Sequence, residues 1–272
     1  MPEEGTSKHA LGRAQGHGAD AESMCLQTNR PHPGRRAGNA LAASSYSDDT
    51  QRVATPHGAP TLVLVPTSLE LARLEDLGGL GPTVITTLCG FGPIAAAARS
   101  AELLARLSPA RVILVGIAGA FDTQRDPLGS ALEFGAVALH GLGVGEGSEH
   151  MPPATLGFPQ WPQSEHPSHA AIFDRLELEP SGGPLLVTTC SAAADAAQAA
   201  MRRARFGEAR AEDMEGFGVA LSCALAGVPL SIVRGISNQV GDRARERWAI
   251  PLALAGAREL ALRVIARTRI GR

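Results

Sequence analysis

The stretch that decides the fold is "EDMEGFGVALSCALAGVPLSIVRGISNQ", at residues 212–239. Its acids precede an apolar helix that runs to about Ala226, and an apolar strand at 229–236 then leads into a Ser and an Asn. A helix followed directly by a buried strand is half of the repeating unit of an α/β protein. The stretch therefore predicts a buried sheet with polar side chains where its strands end.

Strands and helices alternate along the rest of residues 61–272. Apolar runs indicate further strands, and helical spacing indicates further helices. The strands are expected at 61–65, 83–88, 111–116, 134–140 and 184–189, and the helices from about Ser68 and at 93–107, 193–206 and 250–268. Strands that are apolar throughout indicate a sheet covered on both faces. We expect one α/β domain over 61–272, with the Gly- and Pro-rich stretch 141–183 forming lids or subunit contacts.

Residues 1–58 have a different composition. They are rich in Gly, Ala, Ser, Pro and charged residues and have few β-branched residues. Such a segment buries too little apolar surface to offset the entropy lost on ordering. We predict a disordered N-terminal extension and assign it no function.

The overall composition excludes several classes of function. A formal net charge of −2 and an aromatic content of 4% give no basis for binding nucleic acid. The sequence contains no run of 18 apolar residues, so no membrane span is predicted. The four cysteines are widely separated, which fits buried thiols in a reducing cytoplasm, and the histidines lack metal-ligand spacing. We expect no metal and no cofactor.

Candidate functional residues follow several of the predicted strands. In open α/β folds, ligands bind at the carboxyl ends of the strands. Glu70 follows the first strand, Gly90 the second, Ala118 and Gly119 the third, and Ser237 and Asn238 the last. "GFGPIA" at 90–95 matches a dinucleotide-binding pattern, but the next strand ends without the acid that would bind the ribose. A dehydrogenase is therefore only weakly indicated.

The acids at 212–215 have two interpretations. Acids in a first helical turn complement the helix dipole, which is worth about 0.3–1 kcal/mol. Alternatively, Arg234 on the next strand supplies a counter-charge, and a carboxylate fixed in this way stays ionised and can bind a diol. Three acids exceed what a dipole needs, which favours the second interpretation.

The same segments resemble the nucleoside phosphorylase and nucleosidase superfamily. The resemblance rests on "DMEGFGVALSCALAGVPLSIVRGISNQVGD" (213–242), "CGFGPIAAAARSAELLARLSPARVILVGIAGAF" (89–121) and "VLVPTSLEL" (63–71). It implies a three-layer α/β/α sandwich with a mixed central sheet, a small purine nucleoside as substrate, and a homo-oligomer. Within the superfamily, the sequences of these motifs are most similar to those of the futalosine hydrolases. These cleave futalosine to hypoxanthine and dehypoxanthine futalosine in menaquinone biosynthesis.

The resemblance also implies roles for individual residues. Glu215 would hold the ribose hydroxyls with Met214 packed beneath, and Glu70 would activate the attacking water. Asp213 and Arg234 would form the supporting ion pair. The backbone of Gly90, Ala118 and Gly119 would line the sugar and base, beside Ser237. An Arg for the carboxylate of the 5′ substituent is expected, and the 5′ pocket is expected to draw on 141–170.

Asn238 would face the purine. An amide both donates and accepts hydrogen bonds, so it suits a 6-oxopurine, whereas a carboxylate would face O6 acceptor to acceptor at a cost of about 1–3 kcal/mol. Three alternative functions remain open. The protein could be a methylthioadenosine or aminofutalosine nucleosidase, a phosphorylase that binds phosphate through Arg73 or Arg234, or a nucleoside sensor without catalytic activity. Glu70, in the loop after the first strand, would repel phosphate, which favours hydrolysis over phosphorolysis.

Overall fold

A computed structural model of the chain describes residues 58–74, 77, 83–163, 170–179 and 182–270. The predicted disordered extension at 1–58 lies, except for Gly58, outside these residues. The elements are β1 (Thr61–Val65), α1 (Ser68–Leu71), β2 (Val84–Leu88), α2 (Pro93–Leu107), β3 (Arg111–Ala120), β4 (Ala131–Phe134), β5 (Ala136–His140), α3 (Pro153–Leu156), β6 (Arg175–Glu177), β7 (Leu185–Thr189), α4 (Ala196–Arg205), β8 (Ala209–Asp213), α5 (Gly216–Ala226), β9 (Leu230–Gln239) and α6 (Ile250–Ile270).

The nine strands of the described chain form one mixed sheet. Its main path runs β2-β1-β3-β8-β7-β5-β6, and β9 pairs with both β3 and β4. β3 is central because it lies parallel to β1 and β9 and meets β8 antiparallel at its last two residues, Gly119 and Ala120. The ends of β3, β8 and β9 therefore converge.

Helices cover both faces of this sheet. Residues Leu62 and Leu64 of β1 pack in the cluster that contains Phe217 of α5, whereas Val63 and Val65 pack in the cluster of α6. This alternation follows from the two-residue period of a strand. α2 lies against α5, and α6 lies on β9, β3 and β4. The predicted three-layer sandwich with a mixed sheet is confirmed.

Several element boundaries differ from those predicted. The single strand expected at 134–140 is replaced by two strands. β4 ends before Gly135, β5 begins after it, and the two pair with different strands. β6 and β8 are additional strands. β3 and β9 continue to Ala120 and Gln239, so Ala118, Gly119, Ser237 and Asn238 lie within strands and not after them. None of the helices in the described ranges combines the length and hydropathy that crossing a bilayer requires.

Candidate active site

A cavity of about 400 Å³ opens where β1, β3, β8 and β9 end. Its volume is within the range of small-molecule sites. The lining residues are Pro66, Thr67, Leu69, Glu70, Phe91, Ile117, Ala118, Gly119, Ala192, Glu212, Asp213, Met214, Glu215, Ser237, Asn238, Val240, Gly241, Arg243, Arg245, Trp248 and Ile250. Nine of the ten predicted site residues lie in this lining or directly behind it.

The ion pair of Asp213 and Arg234 lies behind the cavity. Both side chains are fully buried, and Nε and Nη2 of Arg234 donate to Oδ2 of Asp213 at 3.0 and 2.6 Å. The other carboxylate oxygen accepts from the hydroxyl of Thr188 at 2.6 Å, and Gly216 N–H donates to Oδ2 at 2.9 Å. A buried charge is tolerated only when paired and hydrogen-bonded, and Asp213 meets both conditions. The predicted Asp213–Arg234 pairing is present.

Glu215 is held from two sides. Its Oε1 accepts from Gly92 N–H at 3.0 Å at the start of α2, and its Oε2 accepts from Nη2 of Arg234 at 3.3 Å. Burial raises the pKa of this carboxyl to about 7; Arg234 opposes the rise and Asp213 adds to it. Because desolvation outweighs the arginine, the pKa of Glu215 lies above its ordinary value although Arg234 is its partner.

Glu70 is fixed by the turn that carries it. Thr67 caps α1 and accepts from Glu70 N–H at 3.3 Å, while its hydroxyl donates to Oε2 of Glu70 at 2.6 Å. Oε1 accepts from the N–H of Ile117 in β3 at 3.0 Å. Although only 4% exposed, the carboxylate lines the cavity, so it can reach a water there.

Gly116 is where Glu70 and Arg234 approach each other. A Cβ at this position would overlap Nη1 of Arg234 and lie 2.7 Å from Oε1 of Glu70. Only glycine leaves room for both groups. Nη1 of Arg234 is buried and has no hydrogen-bond partner within the described structure. It faces the space at Gly116 from the side opposite to the Glu70 carboxylate.

A β-bulge sets the opposite wall. Ala118 pairs with Ile236 and Gly119 with Asn238, so Ser237 is the extra residue on β9. Bulges re-aim side chains and are frequent beside active sites. The hydroxyl of Ser237 donates to Oδ1 of Asn238 at 2.8 Å, and Nδ2 of Asn238 donates to the carbonyl of Gln239 at 2.8 Å. Because an amide nitrogen carries two hydrogens, one remains available to a ligand.

A second buried ion pair supports the wall at Ala192. Nη1 of Arg202 pairs with Oε2 of Glu212, and its Nη2 donates to the carbonyl of Ser191 at 2.7 Å. Oε1 of Glu212 accepts from Ala193 N–H at 2.8 Å. Glu212 and Asp213 are strand residues at the end of β8, so the interpretation as acids of a first helical turn does not apply to them. Glu212 fixes a loop and does not serve the helix dipole.

Two sequence-based expectations concern residues that lie outside the cavity lining. Gly90 does not line the cavity; the turn instead directs Gly92 N–H to Glu215 and the Phe91 side chain to the rim. In the stretch 141–170, none of the described residues, 141–163 and 170, lines the cavity. The loop after β9 lines the cavity with Arg243, Arg245 and Trp248. Sequence reasoning also missed Thr67, although "TSLE" at 67–70 is a capping-box pattern.

Comparisons with known proteins agree with this architecture. The structure matches 5′-methylthioadenosine/S-adenosylhomocysteine nucleosidase from Neisseria meningitidis, solved in complex with methylthio-immucillin-A, with a TM-score of 0.61 at 18% identity, over 76% of this chain and 98% of that one. The chain therefore has a nucleoside phosphorylase-like fold. No protein-family model matches the sequence.

Relatives found by sequence similarity identify the family of the chain. Futalosine hydrolase from Streptomyces coelicolor is 33% identical over 220 residues, which cover 79% of this chain and 90% of that protein. Futalosine hydrolase from Thermus thermophilus is 30% identical over 225 residues, 75% of this chain and 95% of that protein. The chain belongs to the futalosine hydrolase family.

Proposed function

We propose that this protein hydrolyses the N-glycosidic bond of futalosine, releasing hypoxanthine and dehypoxanthine futalosine for menaquinone biosynthesis. The observation that carries the proposal is the arrangement of one cavity. Glu70 and Glu215 line it, and the amide of Asn238 lies opposite, where the bulge of β9 directs it. Family membership supports the choice of substrate.

The two carboxylates would divide the work on the sugar. Ionised Glu215 binds the ribose hydroxyls and stabilises the positive charge that develops on the sugar as the base leaves. Glu70 accepts a proton from the water that attacks C1′. The oxygen–C1′ bond forms, the C1′–N9 bond breaks, and its electron pair leaves with the purine.

Asn238 would stabilise the departing base. Ser237 fixes the amide with its oxygen toward the hydroxyl, so the free N–H points to an acceptor on the ligand. The acceptors of a 6-oxopurine, O6 and N7, suit this donor. Since Asn is no acid, hydrogen bonding to the developing anion replaces its protonation.

Hydrolysis is favoured over phosphorolysis by the state of the two candidate cations. Arg73 is exposed, donates to the carbonyl of Leu69 at 3.3 Å and does not line the cavity. Arg234 is fully buried and engaged by Asp213 and Glu215. Neither is placed to bind phosphate next to C1′, where Glu70 would repel it.

Product analysis tests the function. The purified chain is incubated in phosphate-free buffer with futalosine, aminofutalosine, inosine or methylthioadenosine, and the products are separated by chromatography. Hypoxanthine from futalosine is expected. Adenine from aminofutalosine or methylthioadenosine as the main product would overturn the assignment of the base, and cleavage only after phosphate is added would overturn hydrolysis.

We also propose a homo-oligomer in a reducing cytoplasm. Leu69 and Phe91 at the cavity rim are 52% and 65% exposed, and nearby Ile94 is 79% exposed. Large apolar side chains exposed together are typical of interfaces. The cysteines within the described residues, Cys89, Cys190 and Cys223, are free thiols, which fits a reducing compartment. Sedimentation at several concentrations tests the assembly, and a monomer throughout would contradict it.

A further inference from the structure

The rim of the cavity carries two cations that the proposed chemistry does not use. Arg243 and Arg245 line the cavity and are exposed. Neither forms a salt bridge within the part of the chain that the structure describes. The neighbouring Arg247, by contrast, binds Asp242 through Nε and Nη2 at 2.9 and 2.6 Å. One arginine of the loop is therefore structural, whereas the other two are available to a ligand.

An indole lies beside these cations and is itself held in place. Nε1–H of Trp248 donates to the carbonyl of Asp242 at 3.1 Å, and the N–H of Ala249 donates to the carbonyl of Ser237 at 2.8 Å. The guanidinium carbon of Arg243 lies 4.8 Å from the centroid of the Trp248 ring. This is a cation–π contact, which orients the arginine without using its hydrogen-bond donors. The loop thus presents an aromatic face and a cation with free N–H groups.

The charges of the cavity are separated along its depth. Glu70, Glu212, Asp213 and Glu215 are all buried, whereas Arg243 and Arg245 lie at the rim. A ligand that is cationic at its reacting sugar and anionic at its far end would match both charges. A neutral ligand would leave the two arginines without a function in binding.

We propose that Arg243, Arg245 and Trp248 form a subsite for an aryl carboxylate attached to the 5′ carbon of the nucleoside. The inference rests on the proposed function and specifies which end of the substrate the loop after β9 recognises. The arginines bind the carboxylate through charge-assisted hydrogen bonds, and Trp248 packs against the aromatic ring. The same cations could instead bind free phosphate, so the test separates the two anions.

The test compares futalosine with its methyl ester, which lacks the charge and is larger by one methyl group. kcat/KM is measured in phosphate-free buffer for the wild type, R243Q, R245Q and the double variant R243Q/R245Q. R263Q is the matched control, because Arg263 is an exposed residue of α6 outside the cavity. W248A tests the aromatic contact.

The double variant should lose about 10- to 100-fold in kcat/KM for futalosine and less than about threefold for the ester. R263Q should match the wild type on both, and W248A should lose activity on both. The preference for the acid over the ester should also shrink as salt is added, since the arginines are exposed. Equal losses on acid and ester would overturn the subsite while leaving the hydrolase intact.

Two further outcomes are distinguishable. If the wild type releases no base from either nucleoside, the proposed function fails, and calorimetric titration of the same two ligands still tests the subsite by their difference in Kd. If added phosphate raises the wild-type rate and the double variant loses that dependence, the arginines bind phosphate and the subsite is wrong.

Discussion

Replacing Glu215 by Gln should stabilise the protein at alkaline pH while abolishing its activity. Glu215 is only 5% exposed, and burial raises its pKa from an ordinary 4.5 to about 7 against the opposing effect of Arg234. A group whose pKa is higher in the folded state contributes stability that is fully present below its unfolded pKa and is lost as the pH rises through the folded value. At about 1.4 kcal/mol per pH unit, the full loss is about 3 kcal/mol.

Urea unfolding of the wild type and E215Q at pH 5 and pH 8 measures this effect. The free energy of unfolding of E215Q relative to the wild type should rise by about 2–3 kcal/mol between the two pH values. The amide group of Gln facing Arg234 has its own cost, but that cost is independent of pH and cancels in the comparison. A relative stability that stays constant or falls from pH 5 to pH 8 would refute the reasoning.

The same ionisation should control catalysis. Because the carboxylate form is needed to bind the ribose hydroxyls, kcat/KM of the wild type should fall about tenfold per pH unit below about pH 7 and level off above it. E215Q should be at least about a hundredfold less active at pH 8, as removal of one catalytic group commonly is. A flat wild-type profile from pH 5.5 to 8 would contradict the role assigned to Glu215.

Four other substitutions test the remaining parts of the site. Glu70→Gln should lower kcat at least about a hundredfold without unfolding the protein, which rates and circular dichroism would check. Gly116→Ala should destabilise by about 1–3 kcal/mol and lower kcat/KM, because its Cβ would overlap Arg234; full activity would contradict the crowding. Asn238→Asp should lower hypoxanthine release from futalosine by about 10- to 100-fold relative to adenine release from aminofutalosine, and an unchanged ratio would show that residue 238 does not read the base. Arg202→Met should destabilise by about 3–5 kcal/mol by leaving Glu212 unpaired, and the double variant R202M/E212M should recover much of the loss in urea unfolding.

The sequence by itself determined the layered α/β/α architecture. Apolar strands such as β1 and β3 are buried on both faces, so their composition alone reports their position. Chain order also places Asp213 before a helix and Arg234 on the strand that follows it, and the structure brings the two together because β8 and β9 both pair with β3. The family and the candidate carboxylates Glu70 and Glu215 were therefore accessible without coordinates.

β8 is a strand that the sequence alone did not predict. "ARAED" at 209–213 has the composition of a surface segment, yet four of its five residues are buried. Their burial depends on Arg202 and Arg234, which supply the charge compensation that the local sequence lacks. A strand whose buried charges are neutralised by ion pairs has no hydrophobic periodicity, so the sequence pattern does not predict it.

Tertiary structure alone decided how the site is assembled. Glu215 meets Gly92 across 123 residues, and Glu70 meets Ile117 across 47, because β3 lies between β1, β8 and β9. The bulge that re-aims Asn238 depends on the register between β3 and β9. The arginines at the cavity rim, Arg243 and Arg245, come from the loop after β9. Local sequence sets what each segment buries, whereas the order and register of the strands set which segments meet.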